Sequence, residues 1–491
     1  MNYPLLFRLL SLILVALSAA FATSMAVGWL MDDSPAEMAA IRALAWTVGL
    51  SLTLAITFGW IGRNAHPRLF RKEAFALIGV GWILASLLGA VPYYLTLNNV
   101  SFGQAFFEST SGLTTTGASC FTGFEQWPRS LLFWRQLSQW IGGLGVVVFF
   151  VAVLSSLGAG AKILFSNEST GTSTDVDSSR IQTGALRILQ LYIGLSALCA
   201  LALHLAGLSW YDAVCHTFTT ISTGGFSTRS SSIEAFANPT AEWVFITFMI
   251  LGGTSFLVIL KGLNRDFRTV RQNTETWIFW ALIPIFSLMV FFYIIEIQPE
   301  SDFGTDFRIA VFQVVSILTT TGYSSINYGA WTAPAQLILL SCMVIGGSSG
   351  STAGGVKVVR FVVACKIALQ AVEKAFRTKV VRPLRINGRI LTDSAQVSVL
   401  TYIVTLGLIG TFSMVVVSVL EHNLDLASVV SGVFACLQNI GPAFGQLGPA
   451  EHYGALNDLT HVYLALLMIV GRLEIFAVLV LFSPSLWRQY R

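Results

Sequence analysis

The chain has 491 residues, 54% of them hydrophobic and only 11% charged, with a formal net charge of +4. Soluble domains carry about 25% charged residues, and many apolar stretches here reach the ~20 residues that cross a bilayer. A soluble globular domain is therefore excluded and an all-α polytopic membrane protein is predicted, in which the placement of charge matters more than its sum.

Residues 1–30 hold Arg8 and then an apolar run ending in small residues. The run is longer than the usual core of a signal peptide and further spans follow, which favours a retained span over a cleaved leader. Asp32, Asp33 and Glu37 form an acidic loop before a second span, 40–61. Neither span carries the motif that recurs later, so 1–66 reads as an accessory transmembrane hairpin.

Four units follow, each a span, a short re-entrant segment, a glycine-containing motif and another span. The first, 67–165, has an outer helix at 74–95, a pore segment at 103–113 and an inner helix at 131–157. The second, 180–265, places these at 185–206, 210–221 and 242–261. The third, 272–375, has 276–297, 306–318 and 333–371; the fourth, 390–491, has 397–420, 426–439 and 460–482. Pore segments of about a dozen residues are too short to cross. Irregular backbone at membrane depth is tolerated where it is buried in protein or lines water, which loops around a pore satisfy. Ten crossings and four re-entrant segments use almost the whole chain and leave no room for a soluble catalytic domain.

Each pore segment ends in a variant of one motif: Thr114-Thr115-Thr116-Gly117, Ser222-Thr223-Gly224-Gly225, Thr319-Thr320-Thr321-Gly322 and a degenerate Asn439-Ile440-Gly441. Aligned over 105–119 and 310–324, the first and third copies share nine of fifteen residues, the signature of internal duplication. Glycine can turn its carbonyl where a residue with a Cβ cannot. A Thr-rich run ending in glycine can therefore aim a row of backbone oxygens at one axis. Four rows around a pseudo-fourfold axis would replace the water shell of an alkali cation, as in potassium-channel filters. A single copy is as readily a plain turn; four at matched places favour an ion pore.

Charge gives an independent check. With the N-terminus inside, 23 of the 29 Lys and Arg fall on inner segments, namely Arg8 and 63–72, 162–187, 261–271, 357–389 and 487–491. Five (Arg42, Arg129, Arg135, Arg229 and Arg308) fall on outer segments, and Arg472 lies mid-span. The outer connections carry Asp32, Asp33, Glu296, Glu300, Asp302, Glu421 and Asp425. This is the positive-inside pattern, and it sets both termini inside and all four motifs outside.

The third inner helix is interrupted by Gly346-Gly347-Ser348-Ser349-Gly350-Ser351-Thr352-Ala353-Gly354-Gly355, followed by Val356-Lys357. Five glycines and four hydroxyl residues in these twelve positions do not sustain a helix. Beneath the third motif, 346–355 reads as an intramembrane loop able to obstruct the pore, with a packing break or kink as the alternative. Gly142-Gly143 and Gly252-Gly253 in the earlier inner helices read as close-packing glycines. A guanidinium at mid-membrane should face the interior or a water-filled cavity, so Arg472 reads as a charge that discourages cations or holds the loop. A structural salt bridge is the alternative, and Glu474, two residues on, points elsewhere. Glu108 either attracts cations or hydrogen-bonds to the motif backbone; His216 and Gln313 stand at its counterpart positions.

The four motifs, Trp140-Ile141-Gly142-Gly143-Leu144-Gly145, the 346–357 loop and Val470-Gly471-Arg472-Leu473-Glu474 together resemble TrkH-type potassium uptake proteins of the Trk/Ktr/HKT superfamily. The likeness covers nearly the whole chain, including the hairpin that KtrB-type subunits lack. It implies a bacterial inner-membrane homodimer, one pore per protomer, with a cytosolic ring of TrkA-type nucleotide-binding regulatory subunits. No nucleotide motif, organic cofactor or nucleic-acid surface is expected in this chain; its cargo is K⁺, held by the backbone carbonyls of the motif residues. Ala443 stands where the family pattern calls for glycine, beyond the motif glycine.

The function expected is potassium uptake through a channel-like pore gated by 346–355, Arg472 and the cytosolic subunits. An H⁺- or Na⁺-coupled secondary transporter is the alternative; it requires inverted repeats, whereas these units share one orientation. An intramembrane enzyme is disfavoured, because the six histidines show no metal-ligand spacing. Neither a zinc site nor a disulfide framework is expected from Cys120, Cys199, Cys215, Cys342, Cys365 and Cys436, which are scattered.

Overall fold

The computed structural model describes residues 1–65, 71–156, 178–297, 302–377, 383–387 and 389–487. The expectations placed on 66–70, 157–177, 298–301, 378–382, 388 and 488–491, which hold several of the inner basic residues and Glu300, lie outside them.

Helix predominates among the described residues. An N-terminal hairpin, α1 (Tyr3–Met31) and α2 (Pro35–Ile61), is followed by α3 (Arg71–Thr96), α4 (Phe102–Leu113) and α5 (Arg129–Ser156). The second unit comprises α6 (Ser178–Leu205), α7 (Trp210–Ile221), α8 (Pro239–Gly253) and α9 (Phe256–Leu263), with a short α10 (Phe267–Gln272) after it. The third has α11 (Thr274–Ile297), α12 (Phe303–Leu318), α13 (Ala333–Ile345) and α14 (Val358–Phe376). The fourth has α15 (Asp393–Leu420), α16 (Leu426–Leu437), α17 (Asp458–Arg472), α18 (Phe476–Leu479) and α19 (Pro484–Trp487). A two-residue antiparallel pair, Arg385–Ile386 with Arg389–Ile390, is the one strand pairing among the described residues.

Among the described residues six helices are long and apolar enough to cross a membrane, and α8–α9 and α17–α18 qualify as bent pairs. With α5 and the interrupted α13–α14 they occupy the places of the ten predicted crossings. Large apolar side chains such as Trp46, Ile56, Phe292, Leu408 and Phe412 face outward, as lipid contact requires. Small polar caps set the re-entrant helices: Ser101 and Gln104 form a reciprocal capping box on α4, and Ser209 and Asp302 cap α7 and α12.

Two predicted helices are not continuous. The expected 242–261 helix breaks at Thr254–Ser255 with a bend of 101°, and the expected 460–482 helix breaks after Arg472 with a bend of 112°. At the first break the freed carbonyls are taken by the 346–357 loop: Ser348 N–H donates to Gly253 O at 3.0 Å, and Thr352 Oγ1 to Gly252 O at 3.1 Å. Helix ends need such outside partners. At the second break Glu474 and Ile475 are both left-handed, with φ of 56° and 58°, a strained state for a β-branched residue. Arg472 is thus the last residue of α17 and not a mid-helix residue.

The units close into a ring. α5 packs on α7, α8 on α12, α13 on α16, and α17 returns to α4, while α1 covers α2, α3 and α5. Asn2 N–H donates to Glu73 Oε1 and Tyr3 OH to the Trp487 carbonyl, both at 2.9 Å, so both ends of the described chain share a face. Glu37 at the opposite end of α1's hairpin accepts from the Arg129 and Ser130 amides at 2.6 and 2.9 Å. The four motifs lead into that opposite face.

Candidate ion-conduction site

The re-entrant helices end in C-caps at Thr114, Ser222, Thr319 and Gln438, the first three opening their motifs and the fourth immediately preceding its own. The next residue is left-handed in every copy: Thr115 at φ 52°, Thr223 at 54°, Thr320 at 57° and Asn439 at 56°. Two residues later the glycine is left-handed again: Gly117 at 83°, Gly225 at 78°, Gly322 at 82° and Gly441 at 104°. The intervening residue is not, and such alternation of handedness brings successive carbonyls to one side of the chain. The amides turn the other way. Thr116, Gly224, Thr321 and Ile440 N–H donate to Ser111, Thr219, Ser316 and Ala435 carbonyls at 2.8–2.9 Å. Sequences this different adopt one backbone, and three of the four left-handed positions ahead of the glycine are threonines, which rarely accept it.

The four segments surround one axis. A Cβ on Gly117 would lie 2.1 Å from Gly224 O; on Gly225, 1.9 Å from Thr321 O; on Gly322, 1.9 Å from Ile440 O; and on Gly441, 2.7 Å from Thr116 O. Each glycine therefore abuts the carbonyl that precedes the next unit's glycine, and the fourth returns to the first. The C-terminal ends of four helices converge here, and their partial negative charge favours a cation. A cavity of about 210 Å³ adjoins the ring, with Gly117, Gly225, Gly322 and Pro442 in its lining. Glu234, Glu451, Arg135 and Arg229 also line it. In the adjoining turn, burial acts to raise the Glu125 carboxyl but is outweighed by donation from Ser230 and by Arg229, which hold it below the ordinary range.

Glu108 does not sit at a mouth. It is fully buried, accepting from Ser119 Oγ at 2.9 Å, Cys120 N–H at 3.0 Å and Arg135 Nε at 2.7 Å. Of its two sequence readings, the geometry matches the hydrogen bond to the backbone behind the motif. His216 meets Ser227 Oγ at 2.9 Å and Gln313 meets Ser325 Oγ at 3.0 Å, the same task with different chemistry. The fourth counterpart is Gly432, and there Ser431 Oγ accepts from Phe444 N–H at 2.9 Å instead. Arg135 also donates to Ser227 O at 3.0 Å and lies 3.4 Å from the Phe226 ring centroid. Glu108→Ala strands this guanidinium, so thermal unfolding in detergent is expected to show a loss of about 3–5 kcal/mol. A change within error would show that solvent reaches Arg135.

The 346–357 loop crosses beneath the ring on the side away from the cavity. Thr352 Oγ1 donates to Ile221 O at 2.9 Å, Gly354 N–H to Thr320 Oγ1 at 2.6 Å, and Gly355 N–H to Gln438 O at 3.1 Å. It thus touches the bases of the second, third and fourth motifs. Ser348, Ser351, Thr352 and Ala353 are buried. Gly346, Gly350 and Gly355 are left-handed, with φ of 75°, 74° and 81°, and a Cβ on Gly347 would meet Ala353 Cβ at 2.4 Å. Ser349 N–H donates to Glu275 Oε1 at 2.6 Å.

Arg472 reaches the same loop, donating Nη1 to Thr352 O at 2.8 Å. It is buried, and among the described residues no carboxylate pairs with it. Its Nε and Nη2 find no acceptor among the described residues. The salt-bridge reading is therefore not the geometry found. Glu474 pairs instead with Arg360 at 2.5 Å, and Arg360 lies 4.0 Å from the Tyr402 ring centroid. The early inner-helix glycines are close-packing as expected: a Cβ on Gly142 would lie 1.9 Å from Leu113 O and one on Gly253 2.9 Å from Thr319 Cγ2. Gly471 repeats the first contact, at 1.9 Å from Leu437 O. Sequence reasoning missed Gln139, Glu275, Arg360 and Glu474 as partners of these segments. The polar cluster Arg135, Gln136, Ser138 and Gln139 in a membrane-crossing helix was the available signal for Gln139.

The family model for TrkH, a cation transport protein, matches residues 63–489. The chain is 33% identical over 494 residues to the Trk system potassium uptake protein TrkH of Halomonas elongata, covering all of both chains. It is 30% identical over 498 residues to the Trk system potassium uptake protein TrkH of Escherichia coli K12, again over the full length of both. The crystal structure of the potassium transporter TrkH from Vibrio parahaemolyticus superposes with a TM-score of 0.89 at 28% identity, over 99% of this chain and 100% of that one.

Proposed function

This chain belongs to the TrkH family of cation transport proteins, and from that premise we propose that it takes up K⁺ through a channel-like pore. The closed ring of glycine-to-carbonyl contacts supports this reading most directly. The filter is formed by residues 114–117, 222–225, 319–322 and 439–441, whose carbonyls replace the hydration shell of K⁺. Transport needs no covalent step and no organic cofactor in this chain. The units are 67–165, 180–265, 272–375 and 390–491, with 1–66 as accessory hairpin. The protein is a multi-pass membrane protein; we place it in a bacterial inner membrane as a homodimer with cytoplasmic termini, working with cytosolic nucleotide-binding regulatory subunits. A potential negative inside then favours influx by roughly 2.3 kcal/mol per 100 mV.

Flux into proteoliposomes of the purified protein tests the reading. Influx of K⁺ over Na⁺ should follow an imposed potential and be indifferent to a pH gradient of equal driving force. Influx that instead follows the pH gradient at zero potential supports a coupled transporter.

The gate is assigned to 346–355 with Arg472. Removing two to four residues from this loop should raise K⁺ flux per folded molecule several-fold and blunt its response to a regulatory partner. Folded, shortened protein that conducts no faster makes the loop a structural break.

A further inference from the structure

Three of the four ring carbonyls belong to residues with side chains, Thr116, Thr321 and Ile440; the second belongs to Gly224. Gly224 is not left-handed, so its backbone does not require glycine. What excludes a side chain is Gln139 of α5, from the preceding unit: a Cβ on Gly224 would lie 2.4 Å from both Cδ and Oε1 of Gln139. The carboxamide brackets Gly225. Its Nε2 donates to Gly224 O at 2.7 Å, and its Oε1 accepts from Phe226 N–H at 3.1 Å. Those two contacts fix the orientation of the amide, since the reverse would oppose donor to donor. Gln139 is fully buried, 0% exposed.

The other threonine segments brace themselves. Thr114 Oγ1 meets Thr116 Oγ1 at 2.7 Å, and Thr319 Oγ1 meets Thr321 Oγ1 at 2.8 Å. Ser222 has no hydroxyl partner at Gly224 and donates to Phe218 O at 2.6 Å. Arg135, one helical turn before Gln139, grips the same segment again through Ser227 O. A carbonyl oxygen has two lone pairs, so the bond from Gln139 leaves one for the axis.

We infer that Gln139 is the positioning residue of the second filter segment, supplying from the first unit the brace that Gly224 lacks and thereby fixing one of the four ring carbonyls. This rests on the filter reading above. A carbonyl held by a strong buried bond keeps its distance from the axis, and a ring of fixed oxygens distinguishes K⁺ from Na⁺ better than one with a loose member.

The test is the K⁺/Na⁺ permeability ratio from reversal potentials, measured on full-length protein in planar bilayers. Gln139→Ala should lower the ratio about fivefold, the factor that one net buried hydrogen bond is worth. Gln139→Met retains much of the length but loses the donor, and should fall by a similar factor; it also serves if the alanine variant folds poorly. Gly224→Thr alone collides with Gln139. Gln139→Ala combined with Gly224→Thr rebuilds a self-braced segment and should return the ratio toward wild type, a rescue that a purely structural role does not predict. If Gly322→Ser lowers the ratio while Gln139→Ala and Gln139→Met do not, this inference fails and the filter stands. If none of them moves it, the filter reading fails. A lowered ratio in Gln139→Ala without rescue in the double variant overturns the bracing role.

Discussion

Gly322→Ser and Gly117→Ser are expected to remove most of the discrimination between K⁺ and Na⁺, lowering the permeability ratio by about tenfold or more. Two effects add. Left-handed backbone costs a residue with a Cβ about 1–2 kcal/mol, and the new Cβ would stand 1.9 Å from Ile440 O in one case and 2.1 Å from Gly224 O in the other. Something must move, and what lies in contact is the ring itself. About 1.4 kcal/mol of differential stabilisation is a factor of ten, so even partial relief by displacement of a carbonyl suffices. Gly441 gives an internal control: its nearest carbonyl, Thr116 O, is at 2.7 Å, so Gly441→Ser should fall less steeply. Reversal potentials under bi-ionic conditions measure all three. Unchanged ion preference in well-folded Gly117→Ser and Gly322→Ser sinks the filter assignment.

The ring was legible in the sequence because its requirement is local. A left-handed glycine two residues after a left-handed Thr or Asn must be written at each copy, and it is, from Gly117 to Gly441. The break in α8–α9 has a partial signal in Gly252-Gly253-Thr254-Ser255, whereas nothing in Glu474-Ile475 marks the break in α17–α18. The first break is held open by bonds from Ser348 and Thr352, about a hundred residues distant. The second places two residues in a conformation their side chains disfavour, with Arg360 bonded to Glu474 across 114 positions. Gln139 was missed for the same reason: its meaning lies in the neighbouring unit's missing side chain. Glu108 was half legible, because a buried acid declares that it needs partners but does not say which.

On the proposed gate, Arg472→Ala should increase K⁺ flux by about tenfold while leaving selectivity near wild type. The bond from Arg472 Nη1 to Thr352 O is the only protein hydrogen bond found for the guanidinium among the described residues. A hydrogen bond to a charged group is worth about 1.5–3 kcal/mol, which corresponds to roughly tenfold or more in the balance between loop closed and loop withdrawn. The loop also keeps its contacts to Ile221, Thr320 and Gln438, so the gain stays bounded. Stability decides the sign of the comparison. Were Arg472 one half of a buried ion pair, truncation would strand an acid and cost about 3–5 kcal/mol. No carboxylate pairs with it among the described residues, and two of its three nitrogens lack a protein acceptor. Removing it therefore relieves a buried charge as well as breaking a bond, and thermal stability should change little. The amides of the ring segments above the loop donate to carbonyls of their own helices, so the ring geometry does not depend on the arginine and ion preference should be retained. Flux per folded molecule and unfolding temperature, compared for wild type and Arg472→Ala, separate the two roles. A large drop in unfolding temperature with no gain in flux would refute the gate; faster flux at near-normal stability with the ion preference retained supports it.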